Sequence, residues 1–407
     1  MKSPIISLQS VGVLGRNRDV VRQHNLSIIL QMIHFYGTVT RSQLTSTTGL
    51  NRSTISDLVS ELEQLGFAHE TEGASASGVG RPSLVVTATT NVVAFAVHPE
   101  VDATTVGVVT LSGKVLKTVR VVMGQSPAAA ESVQTAANAI AELRKQLEPT
   151  QRIAGIGVAI PGQVRVSDNV VRLAPQLGWV EQPFGSMLSQ ATGLPVFVDN
   201  DASIGCMAER NFGAARGFVD VVYLFAGSGG IGGGAIVNGS QLRGASGYGG
   251  EFGHVRIGGS NAVDYSGLSG TLESLVRRDD LLQVFKMYSA TDQELDQEIQ
   301  STKSSEAIKI LRNQIDSLGA GIASYVNIFN PEAVILAGFL TSLFNFDPER
   351  LLDAMKKGTL KAAQERVVVR NGELGEETLM VGSAELAFQG LLENPSDAQL
   401  VSTKKTR

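Results

Sequence analysis

The apolar residues of this chain change their spacing near residue 90. Before that point they recur every three to four positions, and after it they alternate or run in short apolar blocks. The first pattern belongs to amphipathic helices and the second to strands, so one layer of secondary structure cannot satisfy both. With 407 residues there is room for more than one core. The chain therefore reads as a small helical unit, residues 1–89, a larger α/β unit, residues 90–395, and a tail, residues 396–407, expected to be frayed.

In the first unit residues 1–17 have no period and are expected to form a loose arm. From Val21 to Tyr36 the residues Leu26, Ile29, Leu30 and Ile33 predict a helix, which Gly37 ends. Thr40 with Gln43 three positions later is a capping-box start for a second, short helix that stops at Gly49. Asn51 is a good N-cap for a third helix carrying Ile55, Leu58, Val59, Leu62 and Leu65 on one face and closed by Gly66. Strand-like Phe67–Thr71, the Gly/Ser-rich Gly73–Gly80, then Arg81, Pro82 and Leu84–Val86 complete a winged helix-turn-helix order. A recognition helix presents small polar and basic side chains near its N-terminus. Arg52, Ser53, Thr54 and Ser56 occupy those places, Arg41 and Ser42 face the backbone from the preceding helix, and Arg81 in a Gly-Arg-Pro wing suits a narrow minor groove. The competing interpretation of each is ordinary: Ser and Thr also cap helices, and three short helices also make a plain packing module.

Beyond residue 90, Val92–Val97, Thr105–Leu111 and Val115–Val122 read as adjacent strands, Glu131–Gln146 as a helix and Ile153–Ile160 as a buried strand. A second set follows: strand Val196–Asp199, helix Ala202–Asn211, strands Val221–Phe225 and Gly234–Val237, helices Leu268–Met287, Ser305–Ile328 and Pro348–Glu365, and strand Ala333–Ala337. Strand–helix–strand order twice over implies two α/β lobes with a cleft between them. Asn200 and Asp201 stand just after a strand end, where such folds place ligand contacts, while Glu251 and His254 follow a Gly run and Glu273 opens a helix. Carboxylates and amides suit the many hydroxyls of a polyol. The alternatives remain open residue by residue: an Asp after a strand is often a helix cap, and a lone His is often a core residue.

Composition narrows the field. The net charge is −5, so nucleic-acid binding must be local, and residues 1–89 carry seven Arg and Lys against six acids, a balance of +1. Cys206 is the only cysteine, which excludes an intrachain disulfide framework and fits a reducing cytoplasm. No apolar run reaches membrane-spanning length, and no secretion signal is visible.

Five stretches carry a resemblance: Gly155–Gly162 (GIGVAIPG), Val198–Ala202 (VDNDA), Gly247–His254 (GYGGEFGH), Ser266–Glu273 (SGLSGTLE) and Asn330–Gly338 (NPEAVILAG). They resemble the ROK family of bacterial repressors and sugar kinases, and with the N-terminal unit the chain is similar to its sugar-responsive repressors. The resemblance implies a two-lobed actin/hexokinase-like (ribonuclease H-like) ATPase fold. It implies a sugar held by Asn200, Asp201, Glu251, His254 and Glu273, with Asp201 at the position of the kinases' general base. It also implies double-stranded operator DNA and a sugar or sugar-phosphate effector as partners, and a homodimer or dimer of dimers.

Two departures from the family pattern bear on chemistry. Where the kinases have Asp-x-Gly-Gly-Thr, this chain has His98-Pro99-Glu100-Val101-Asp102, which lacks an amide donor and adds negative charge. The Gly-rich Gly227–Gly234 persists, as the tight strand connection requires, and the adenosine-side cluster reads Ala337-Gly338-Phe339. Where many members hold zinc with a His and three Cys, this chain has His254 with Asp264, Ser266 and Thr271. No catalytic residue, cofactor or structural metal is therefore expected, and His254 is expected to bond a ligand or a neighbouring carboxylate. Two other readings stay open: an active ATP-dependent sugar kinase with a DNA-binding appendage, and a repressor controlled by a protein partner.

Overall fold

The computed structural model describes residues 18–72, 84–124, 126–227, 229–287 and 290–403. The expected arm, the whole Gly/Ser-rich segment Gly73–Gly80, Arg81 and Pro82 lie outside them.

The N-terminal unit consists of α1 (Arg18–Tyr36), β1 (Thr38–Thr40), α2 (Arg41–Thr48), α3 (Arg52–Gln64), β2 (Ala68–Glu72) and β3 (Leu84–Ala88). Leu26, Ile29, Leu30 and Ile33 of α1 are buried with Leu44 of α2 and Ile55, Leu58, Val59 and Leu62 of α3. Each such side chain contributes about 1.5–3 kcal/mol on burial. The capping box at Thr40 forms in both directions, Gln43 N–H to Thr40 Oγ1 at 3.1 Å and Thr40 N–H to Gln43 Oε1 at 2.8 Å. The Asn51 side chain caps α3 through Thr54 N–H at 2.9 Å. The unanticipated β1 adds a third strand, giving the antiparallel order β1-β3-β2.

The first lobe holds β4 (Val92–Pro99), β5 (Ala103–Thr110), β6 (Val115–Val122), α4 (Ala129–Arg144), β7 (Arg152–Ile160), β8 (Gln163–Arg165), β9 (Val170–Ala174), β10 (Trp179–Gln182), α5 (Phe184–Thr192) and β11 (Val196–Asn200). Its main sheet runs β11-β7-β4-β5-β6, and β8, β9 and β10 form a separate small sheet that the sequence reading did not contain. The link to the second lobe is α6 (Asp201–Phe212). There β12 (Val221–Gly227), β13 (Gly230–Val237) and β14 (Ser240–Gln241) precede α7 (Leu272–Leu275), α8 (Arg278–Val284), α9 (Asp292–Ser301) and α10 (Ser305–Phe329). They are followed by β15 (Ala333–Gly338), α11 (Leu340–Phe346), α12 (Pro348–Gly358), α13 (Lys361–Gln364) and β16 (Val368–Asn371), in the sheet order β14-β13-β12-β15-β16.

Several expectations need correction. The long helix expected over residues 268–287 is two short ones, α7 and α8, because Val276 and Arg277 are extended between them. The helix expected over residues 348–365 breaks after Gly358. The chain then returns across the molecule as α14 (Thr378–Glu393), which lies against α1, β4, β7 and α6. Ala384, Phe388, Leu391 and Leu392 of α14 share one apolar core with the helices of the N-terminal unit. The tail is not frayed through Ser402. Strand β11 meets β7 only from Ile156 onward, so the first residues of β7 have open backbone groups on that side. There β17 (Val401–Ser402) pairs antiparallel with Ile153 and Arg152, and Arg144 donates to Ser402 O at 2.7 Å.

Candidate functional site

A cavity of about 280 Å³ opens between the lobes. One wall comes from the end of β4, the turn after β7 and the end of β11, the other from the β12–β13 hairpin and residues 251–273. All five residues read as sugar ligands, Asn200, Asp201, Glu251, His254 and Glu273, line it.

Each is held by identifiable backbone. Asn200 caps α6, accepting from Ser203 N–H at 3.0 Å, and its amide donates to Gly162 O at 3.0 Å and Asp201 Oδ1 at 3.1 Å. It therefore braces Asp201 as well as facing the cavity. Burial pushes the Asp201 carboxyl up to about 6, with Glu251 adding repulsion and His98 and the Ala202 amide acting against it. Glu251 has no side-chain hydrogen bond among the described residues. Glu273 is buried and accepts from Ile231 N–H at 2.8 Å and Tyr265 N–H at 3.2 Å, and burial raises its pKa. Gly230, with φ +112°, makes this approach possible: a Cβ there would lie 2.1 Å from Glu273 Oε2.

His254 Nδ1–H donates to Asp264 Oδ2 at 2.9 Å. Burial opposes its charged form, but Asp264, Glu273 and Glu251 outweigh that, so its pKa is raised. Asp264 also accepts from Thr271 Oγ1 and from the amides of Ser266 and Leu268, each at 2.9 Å. One carboxylate thus gathers four partners from the loop where the resemblance implies a metal. His254, Asp264 and Glu273 do place one ligand atom each within 4.8 Å of one another. Yet both Asp264 oxygens and both Glu273 oxygens are already engaged, and no thiolate is present. The residues do not fit a closed zinc site of the family type.

On the other side of the cavity stand His98, Glu100 and Asp102. Arg120 bridges the two carboxylates at 2.9 and 2.8 Å from behind. Altogether five carboxylates line the cavity, and no Lys or Arg does among the described residues. Sequence reasoning missed Gln163, Leu173, Gln176 and Tyr265. The first three sit on elements of three to five residues, too short to show a period, and Gln176 crosses the cleft to bond Gly229 O.

In the N-terminal unit, Ser42, Arg52 and Ser53 are exposed, and Thr54 and Ser56 half-buried. Arg52 makes no ion pair or hydrogen bond to a described residue. Ser53 bonds the cap residue Asn51 at 2.7 Å. Arg41, read as a contact to the DNA backbone, is engaged within the unit. Its guanidinium grips Glu70 of β2 with two bonds of 2.6 Å and Ser56 of α3 at 3.0 Å, because the hairpin brings a carboxylate opposite the start of α2. Arg41 and Ser56 thus knit the unit together. Among the described residues no helix is long and apolar enough to cross a membrane.

A two-lobed α/β domain with a cleft between the lobes is the architecture of the sugar-kinase-like fold. The family model described as "ROK family" matches residues 96–389, and the chain belongs to that family. The xylose repressor of Caldicellulosiruptor bescii is 27% identical over 403 residues, 94% of this chain and 100% of that protein. The glucokinase of Thermotoga maritima is 28% identical over 299 residues, covering 68% of this chain and 93% of the enzyme. A crystal structure of a ROK family transcriptional regulator, a homologue of the E. coli Mlc protein, has the same fold. Its TM-score is 0.73 at 22% identity, over 92% of this chain and 97% of that one.

Proposed function

We propose that this protein is a sequence-specific DNA-binding transcriptional repressor of carbohydrate-metabolism genes, cytoplasmic and without kinase activity, whose effector is a sugar bound between the lobes. The carrying observation is the make-up of the cavity. Asn200, Asp201, Glu251, His254 and Glu273, to which the family resemblance gives the sugar, line it together with Glu100 and Asp102, which stand where the resemblance sets the kinases' phosphate-cradling turn. Phosphoryl transfer needs amide donors, a metal or cations there, and carboxylates repel a triphosphate. The same charge favours an uncharged sugar over a sugar phosphate. The xylose repressor that matches along its whole length supports the assignment.

The N-terminal unit serves as a winged helix-turn-helix, with Ser42, Arg52, Ser53, Thr54 and the wing residue Arg81 contacting DNA, and Arg41 and Ser56 holding α2, α3 and β2 in register for it. Paired half-sites call for a homodimer. Ile328 and Leu360, 66% and 73% exposed, lie on segments joined by Leu360 N–H to Asn327 Oδ1 at 3.0 Å and suit its interface.

One observation favours an active sugar kinase: Asp201, which the family resemblance sets at the kinases' general-base position, lines the cavity of a chain similar to a glucokinase. A coupled assay with ATP and a panel of hexoses and pentoses separates the readings. The repressor reading expects no turnover, together with a duplex retrieved by the protein from a random-sequence library. Turnover abolished by Asp201→Asn would establish the kinase.

A further inference from the structure

Helix α6 reaches both the cavity and the N-terminal unit. Its first residues, Asn200 as cap and Asp201, form part of the cavity wall. Its last turn, about 18 Å away at 1.5 Å per residue, meets the end of α1. Asn211 donates to Glu385 Oε2 at 2.8 Å. Glu385, on α14, meets His34 Nε2 of α1 at 3.0 and 3.1 Å, and His34 Nδ1 is bonded to Leu111 O. His34 and Glu385 are buried, so this contact has no solvent to replace it. Around it, the Phe212 ring meets His34 edge-on at 5.2 Å, Arg210 lies 5.8 Å over Phe35, and Arg216 donates to Phe35 O at 2.6 Å.

The helix is also the joint between the lobes. It leaves the end of β11 in the first lobe and packs beneath β12 and β13 of the second. Against α14 the packing leaves no slack: a Cβ on Gly382 would lie 2.3 Å from Ile204 Cγ2. A ligand that draws the two cavity walls together therefore displaces α6 against α14 and α1, since its interior cannot absorb the movement.

We propose that α6 transmits cavity occupancy to the N-terminal unit, and that Glu385, joining Asn211 to His34, is the positioning residue through which the two are coupled. This rests on the repressor reading above. A ligand shifts operator affinity only by its differential affinity for two arrangements, and the His34–Glu385–Asn211 contact is where those arrangements meet α1.

The test uses the full chain, D-xylose and D-glucose as probes, and a duplex selected by the protein from a random library. Three quantities are read: sugar affinity without DNA, operator affinity without sugar, and operator affinity at saturating sugar. A sugar-dependent change in the unaltered protein is the repressor reading's own result, and its absence overturns that reading and this proposal together. Given that change, Glu385→Gln and Asn211→Ala are expected to leave the first two quantities within about threefold while the ratio of the last two falls toward one, a loss of at least about fivefold for a coupling of ordinary size. Arg216→Ala, which removes a separate tie to α1, serves as a control for mere loosening and is expected to keep most of the ratio. A ratio unchanged in both Glu385→Gln and Asn211→Ala overturns the coupling role and leaves the repressor reading standing. Equal loss of both separate affinities also overturns it, as that is the signature of a purely structural contact.

Discussion

Asp264 holds His254 at 2.9 Å through Nδ1, which leaves Nε2 as the ring nitrogen available to a ligand in the cavity. The carboxylate fixes ring orientation much as an outer-shell carboxylate fixes a metal-bound imidazole. Burial works against the charged form of both groups, and the pair outweighs it with help from Glu273 and Glu251 for His254, whose pKa is raised, and from Leu268 N–H and Thr271 Oγ1–H for Asp264, whose pKa is lowered. Stabilisation from charged His254 is fully present below its ordinary value of 6.5 and is lost as pH rises through the raised one. That from Asp264 is present above 3.8 and is lost as pH falls through the lowered one. An NMR titration of the His254 ring is expected to show a midpoint above 6.5 that drops in Asp264→Asn. A midpoint unmoved by the substitution contradicts the pairing.

Removing metals is expected to change nothing at this loop. Because Asp264 already binds four partners, extended dialysis against a chelator should leave the melting temperature and sugar affinity as they were. A structural zinc would instead link metal loss to unfolding, so a chelator-induced fall in melting temperature refutes the carboxylate-centred loop.

Asp201 is expected to trade stability for binding. Its folded pKa of about 6 lies above the ordinary 3.8, so ionisation at neutral pH costs the fold free energy, in the range of roughly 1–3 kcal/mol. Asp201→Asn should raise the melting temperature of the ligand-free protein at pH 7. It should also weaken sugar binding about 10- to 100-fold by removing a charged acceptor. In the unaltered protein sugar affinity should decline as pH falls through about 6, and the variant should lack that component, while any change that follows the titration of His254 should be common to both. Calorimetry across pH 5–8 reads both.

Arg52 and Arg41 should separate cleanly. Arg52→Ala is expected to weaken operator binding about tenfold and to lower the salt slope by about one, the mark of a lost cation–DNA contact. Arg41→Ala breaks the pair with Glu70, so its main effect should be about 1 kcal/mol of stability, seen in urea unfolding, with the salt slope unchanged. A changed slope for Arg41→Ala would return that residue to the DNA face.

Local chemistry was legible where it was local. Thr40 with Gln43 and Asn51 announce two helix starts because capping requires those side chains at those offsets. The cavity residues were legible through the family motifs, and they converge although Asn200 and Glu273 are far apart in sequence. Helix α14 was not read because it is buried on nearly every side between the sheet, α6 and α1, so its sequence TLMVGSAELAFQGLLE has no polar face to set a period. Glu385 within it looks like a surface acid, and its partners His34 and Asn211 come from distant segments. The ion pair of Arg41 was not legible for the same reason: exposure can be guessed from position in a helix, but the carboxylate opposite it comes from a hairpin folded over from residue 70. In the tail, Leu400 and Val401 are too few to read as a strand until the open edge of β7 is known.

The central claim is that a sugar-sensing cleft has replaced a phosphotransfer site beneath a DNA-reading unit, and operator binding in the presence of matched ligands tests it most directly. Fluorescence anisotropy of a selected duplex should be measured with neutral sugars and with their phosphate esters. The account predicts that at least one neutral pentose or hexose shifts operator affinity about 5- to 150-fold, and that its phosphate ester does not. Operator binding indifferent to every neutral sugar, or responsive to the phosphate ester alone, would contradict it.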